Sequence, residues 1–126
     1  MSNIDSELKQ PGYIDLSYLK EIAGNDQTFI VDMIETYLDN IPSDIKEMKS
    51  LLADKKWNEI GDIAHKIKPS IGFLGIHMLK DTVLQLQING REAKNISIIP
   101  DLIAEIERVN ESVIKELQET LNNEYS

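Results

Sequence analysis

Cysteine is absent from this 126-residue chain, which excludes disulfides, thiolate metal sites and cysteine nucleophiles and leaves stability to packing. Long apolar runs are missing too. Nothing approaches the roughly 20 residues needed to cross a bilayer, and the opening Met-Ser-Asn-Ile-Asp has no basic region followed by an apolar stretch. Neither membrane insertion nor export is expected, and a cytoplasmic location is. Basic residues are scarce: 13 Lys and Arg against 22 Asp and Glu leave a formal charge of −9, which repels nucleic-acid phosphates and anionic lipid over most of the surface. No segment alternates apolar and polar residues long enough to read as a strand. A Gly-rich phosphate loop, a nucleophile elbow, a His-Glu-x-x-His stretch and the Glu-x-x-His pairs of a carboxylate-bridged bundle enzyme are all missing. No metal site and no resident cofactor are therefore expected.

What is present is a globular composition, 41% hydrophobic and 28% charged, in a chain long enough for one core. Helical periodicity dominates. Residues 1–12, with Pro11 and Gly12, read as a tail, and Asp15 caps a short helix that carries Leu16, Leu19 and Ile22 and ends at Gly24. A second helix from about Asp26 puts Phe29, Ile30, Met33, Ile34, Tyr37, Leu38 and Ile41 on one face. Pro42 either kinks it or opens a new helix capped by Asn40. The kink is favoured, because the stripe resumes at Ile45, Met48 and Leu52 with no loop between, which carries the helix to about Ala53. A third helix from Trp57 carries Ile60, Ile63, Ile67, Ile71 and Leu74. A fourth starts near Gly75 or Ile76, carries Leu79, Val83 and Leu86, and ends around Lys94. After a loop with Asn95 and Pro100, the last helix places Leu102, Ile106, Val109, Val113, Leu117 and Thr120 or Leu121 at near-heptad spacing and reaches Asn122. The expected fold is all-α: an antiparallel up-and-down four-helix bundle over residues 13–122, with a short additional N-terminal helix and a tail at 123–126.

The third helix is the informative one. At 100° per residue its apolar stripe is centred about 160° away from His65, so the imidazole is expected to face solvent. Its neighbours are small or unusual: Gly61 and Pro69 lie one turn away and Gly72 two turns on. Each glycine costs about 1 kcal/mol in an exposed helix relative to alanine, which suggests that space is kept around the histidine. Lys68 lies one turn beyond it. An imidazole in water is mostly neutral at pH 7 and offers a ring lone pair as a nucleophile. The charge pattern singles out the same region, since Lys66, Lys68, Lys80, Arg91 and Lys94 face only Asp81 and Glu92 between residues 65 and 94. The plainer reading of these residues is an ordinary surface histidine beside an ordinary surface lysine.

The stretch His65-Lys66-Ile67-Lys68-Pro69-Ser70-Ile71-Gly72-Phe73-Leu74-Gly75 resembles the signature of histidine-containing phosphotransfer (HPt) domains, in which His-x-Leu-Lys-Gly-Ser precedes a small-residue helix and Leu-Gly. The likeness extends over nearly the whole chain, through Ile14-Asp15-Leu16, Tyr37-Leu38, Trp57 and Ala64. It implies that His65 is a phosphoacceptor, that Lys68 orients the phosphoryl group, and that Gln87 and Arg91 flank it from the fourth helix. It further implies a phosphorelay intermediate whose partners are receiver domains of response regulators and hybrid sensor kinases, with Mg²⁺ on the receiver; a monomer is expected because one exposed histidine serves the role without symmetry. Gly61, Pro69, Gly72 and Leu84 would form the partner surface. Pro69 departs from the pattern, standing where the family usually has Gly. It denies an N–H to the His65 carbonyl and crowds it, which bears on partner fit more than on phosphorylation.

Other residues are less specific. His77 has no ligand-like spacing to other candidates. Ser70 either bonds back to helix carbonyls or takes part in the chemistry. Leu84 and Ile88, on the polar side of the fourth helix, are either covered by the short first helix or left for a partner. The rival function is a non-catalytic helical adaptor of the same fold, in which Pro69 has removed phosphotransfer; its binding would be indifferent to His65→Ala.

Overall fold

The computed structural model describes residues 12–125, so the expected tail over 1–12 lies, apart from Gly12, outside the described residues. The described part is helical: α1 Ser17–Ala23, α2 Gln27–Ala53, α3 Trp57–Phe73, α4 His77–Glu92, and α5 Ile99–Glu124 preceded by a 3-10 turn Ile96–Ile98. Among the described residues there is no strand. No described helix is long and apolar enough to cross a membrane.

The ends follow local chemistry. Asp26 caps α2 by accepting a hydrogen bond from the Phe29 N–H at 3.1 Å. Asp15 accepts from the N–H of Ser17 at 3.0 Å and from its hydroxyl at 2.6 Å, one position before the cap of α1. The helix α2 runs through Pro42 to Ala53 without interruption, so the single long element is what forms. The last helix continues to Glu124, two residues past the expected end, making residues 123 and 124 helix rather than tail.

Helix α2 packs on α3 and α5, and α4 packs on the same two, so the four long helices close a ring around one core. Its most enclosed side chains include Ile34, Ile41, Met48, Ile60, Leu74, Leu79, Leu86, Ile106 and Leu117. Ile99 and Ile103, outside the expected stripe of the last helix, are also buried. The short helix α1 docks through Leu16 and Leu19, whereas Ile22 and Phe29, expected on buried faces, are exposed. The segment before it is pinned. The Glu116 carboxylate accepts from the N–H groups of Tyr13 at 2.8 Å and Ile14 at 3.0 Å, and the backbone N–H of Asp15 donates to the Leu74 carbonyl at 3.0 Å. This explains Gly75: its φ is +62°, and a Cβ there would meet the Asp15 carbonyl oxygen.

One polar contact crosses the core. The Tyr37 hydroxyl donates to the Asn110 carboxamide oxygen, and Asn110 in turn donates to the Ile106 carbonyl at 2.9 Å. Burial holds the Tyr37 phenol well above its ordinary range, the Asn110 hydrogen bond opposes that, and the nearby Asp44 charge adds to it. Above pH about 10 the unfolded phenol loses its proton while the folded one keeps it. The stability linked to Tyr37 is therefore full below that pH and falls as pH rises, by up to about 1.4 kcal/mol per pH unit. Urea midpoints between pH 9 and 11 should fall more steeply for the natural protein than for Tyr37→Phe; parallel curves would contradict this assignment.

Candidate functional site

His65 lies in the middle of α3 and is exposed, while Ile60, Ile63, Ile67 and Ile71 of the same helix are buried. The apolar period therefore aims the imidazole outward, as the wheel requires. Lys68, Pro69 and Gly72 are exposed on the turns that follow. A Cβ at Gly72 would have no atom within 4 Å, so this glycine does leave open surface. The helix continues through Pro69 to Phe73.

Gly61 belongs elsewhere. It is buried, and a Cβ there would lie 2.7 Å from the Arg91 backbone nitrogen, 2.8 Å from Arg91 Cγ and 2.9 Å from the Gln87 carbonyl oxygen. A Cβ at Gly90 would likewise lie 2.8 Å from the Gly61 nitrogen and the Trp57 carbonyl oxygen. These two glycines let the backbones of α3 and α4 touch. The expectation that Gly61 forms part of a partner surface is corrected: its missing side chain is space for α4, not for another protein.

Gly61 is one turn, about 6 Å along the axis, from His65, and the contact brings the backbone of Gln87 and Arg91 against that turn of α3. Gln87 is half-buried, and its carboxamide Oε1 is buried without a hydrogen-bond partner. Arg91 does not stand free: its Nε donates to the Asp62 carboxylate at 3.1 Å. Leu84 and Ile88 are exposed, at 36% and 38%, so α1 does not cover them.

The local positive charge is smaller than the count suggests. Lys66 reaches across to α2 and donates to Asp44, itself only 4% exposed, at 2.8 Å. That hydrogen bond and the Asp44 charge raise the lysine's pKa. Arg91 is balanced by Asp62, and Lys94 lies 3.3 Å from Glu92. Lys68 and Lys80 make no ion pair among the described residues, so the uncompensated charge around His65 narrows to these two.

His77, at the start of α4, lies 3.5 Å from an Asp15 carboxylate oxygen; the Ser17 hydrogen bonds, with a smaller contribution from His77, lower the Asp15 pKa. Ser70 lines a groove of about 60 Å³ between α2 and α3 with Tyr37, Asn40, Asp44 and Lys66. Among the described residues no three His, Asp or Glu side chains converge as metal ligands would. Sequence reasoning missed Asn58, Asp62 and Gly90. Two of them had a signal: an Asp three residues before the histidine and a glycine inside the fourth helix, between Gln87 and Arg91.

The family model of the Hpt domain matches residues 32–122, well over half of the chain. No curated protein and no solved structure matches it.

Proposed function

We propose that this chain, which belongs to the Hpt domain family, carries a phosphoryl group on His65 between the aspartates of receiver domains. Domains of this family act as histidine phosphotransfer modules in two-component phosphorelays and interact with receiver domains. The observation that carries the reading for this chain is an exposed imidazole in mid-helix, with the unpaired Lys68 one turn beyond it and Gln87 and Arg91 on the neighbouring helix. On this reading the four long helices run up and down, antiparallel, and the chain acts as a cytoplasmic monomer.

The chemistry is a displacement at phosphorus. A neutral ring nitrogen of His65 attacks the receiver's aspartyl phosphate, and an N–P bond forms as the P–O bond to the carboxylate breaks. The aspartate leaves with the bonding electron pair, and the imidazole's proton stays on the other nitrogen. Transfer onward reverses these steps. Such a reaction asks mainly for positioning and charge stabilisation, which Lys68, Gln87 and Arg91 would supply to the phosphoryl oxygens. The Mg²⁺ belongs to the receiver, and this chain contributes no cofactor. Pro69, Gly72 and Leu84 would form the surface on which the receiver lands.

Incubation with a receiver domain carrying labelled aspartyl phosphate tests the proposal. Label should pass to the natural protein and not to His65→Gln; equal labelling of both would sink it. Lys68→Ala has a separate expected outcome. The side chain is exposed and alanine is the better helix former, so stability should change by no more than about 0.5 kcal/mol. Transfer should slow about tenfold, or the phosphohistidine lifetime shorten comparably, the worth of one hydrogen bond to a charged group. An unchanged rate and lifetime would remove Lys68 from the site.

A further inference from the structure

Three residues of α3, three to seven positions before His65, hold Arg91. Asn58, in the amide orientation that gives its oxygen and nitrogen complementary neighbours, donates to the carbonyls of Arg91 at 2.6 Å and Gly90 at 3.3 Å. Gly61 has no side chain where the Arg91 stem and backbone pass, since a Cβ would lie 2.8 Å from Arg91 Cγ. Asp62 accepts from Arg91 Nε at 3.1 Å. Backbone, stem and head of one arginine are thus fixed by one short stretch of α3.

Stability does not account for this arrangement. The Asp62 and Arg91 side chains are 66% and 42% exposed, and an exposed ion pair contributes little to folding. Position is the better explanation. Asp62 and Lys68 stand three residues before and three after His65, and residues at that spacing are neighbours on a helix face. With Arg91 held on Asp62, one cation lies on each side of the imidazole along α3. An unheld arginine would sample many rotamers, and ordering it at the moment of transfer would cost entropy. An Nε contact leaves the planar guanidinium with its terminal N–H donors for an oxyanion.

We infer that Asp62 is a positioning residue for phosphoryl transfer: it holds the Arg91 guanidinium beside His65, opposite Lys68, ready for the phosphoryl oxygens. This inference rests on the phosphotransfer reading above. Asp62 touches no reacting atom and acts through Arg91. Its negative charge alone would oppose an incoming phosphoryl group, so positioning and simple repulsion predict opposite signs.

The test is transfer from a labelled receiver to the natural protein, Asp62→Ala, Asp62→Asn, Arg91→Ala and the double variant, with His65→Gln as blank and the thermal midpoint of each recorded. Asp62→Ala should slow transfer roughly three- to tenfold with little change in midpoint, within the usual range of coupled pairs. Asp62→Asn, whose carboxamide oxygen can still accept from Nε, should recover most of the rate. In the Arg91→Ala background, removing Asp62 should have no further effect. Natural protein that transfers normally while Asp62→Ala transfers equally fast or faster overturns the role of Asp62 alone. So does an equal loss from Asp62→Ala with and without Arg91. Natural protein that takes up no more label than the His65→Gln blank contradicts the phosphotransfer reading itself, and this inference with it.

Discussion

Gly61→Ala should destabilise the protein by about 2 kcal/mol, even though alanine is the better helix former by about 1 kcal/mol. The added Cβ would meet the Arg91 backbone nitrogen at 2.7 Å and the Gln87 carbonyl oxygen at 2.9 Å, and neither can rotate away as a side chain would. The remaining response is to push α3 and α4 apart at their closest point, loosening the core on both sides. For a chain of this size the thermal midpoint should fall by roughly 5–10 °C. Gly72→Ala is the internal contrast. Its Cβ would meet nothing within 4 Å, so the helix-propensity gain, up to about 1 kcal/mol, should appear as a small rise. Equal midpoints for the two variants would show that the close contact at Gly61 does not constrain the helices.

These two glycines also mark how far a sequence can be read. On the helical wheel both lie near the histidine, and propensity alone gives them one meaning: space beside an imidazole. Gly72 has that meaning. Gly61 does not, because a wheel fixes angles within one helix and is blind to where the next helix closes on it. The exposure of His65 was legible, since four isoleucines on the opposite face outvote any local irregularity, including Pro69. The local charge was misleading for a related reason. Asp44 lies outside the 65–94 window in sequence and Asp62 just before it, yet they cancel Lys66 and Arg91 in space. The Tyr37 to Asn110 hydrogen bond spans 73 residues, and no local pattern announces it.

His65→Gln should abolish phosphoryl uptake while leaving the fold intact. Among the described residues the His65 side chain makes no hydrogen bond or ion pair and is exposed, so glutamine removes no packing. Glutamine is also at least as good a helix former, which keeps the stability change within about 0.5 kcal/mol. Its carboxamide has no basic lone pair on nitrogen and cannot form the N–P bond. The loss of transfer should therefore be complete rather than graded, unlike the losses from Lys68 or Asp62. Residual uptake above background would mean that another group accepts the phosphoryl.

The chain has only two histidines, which makes the acceptor directly assignable. After transfer from a phosphorylated receiver, the chain is digested above neutral pH, where an N–P bond survives, and the modified peptide is sequenced by mass spectrometry. The phosphoryl group is expected on His65 alone, in an acid-labile linkage. Finding it on His77, on a carboxylate or hydroxyl, or nowhere on the chain would contradict the assignment of His65 as the phosphoacceptor.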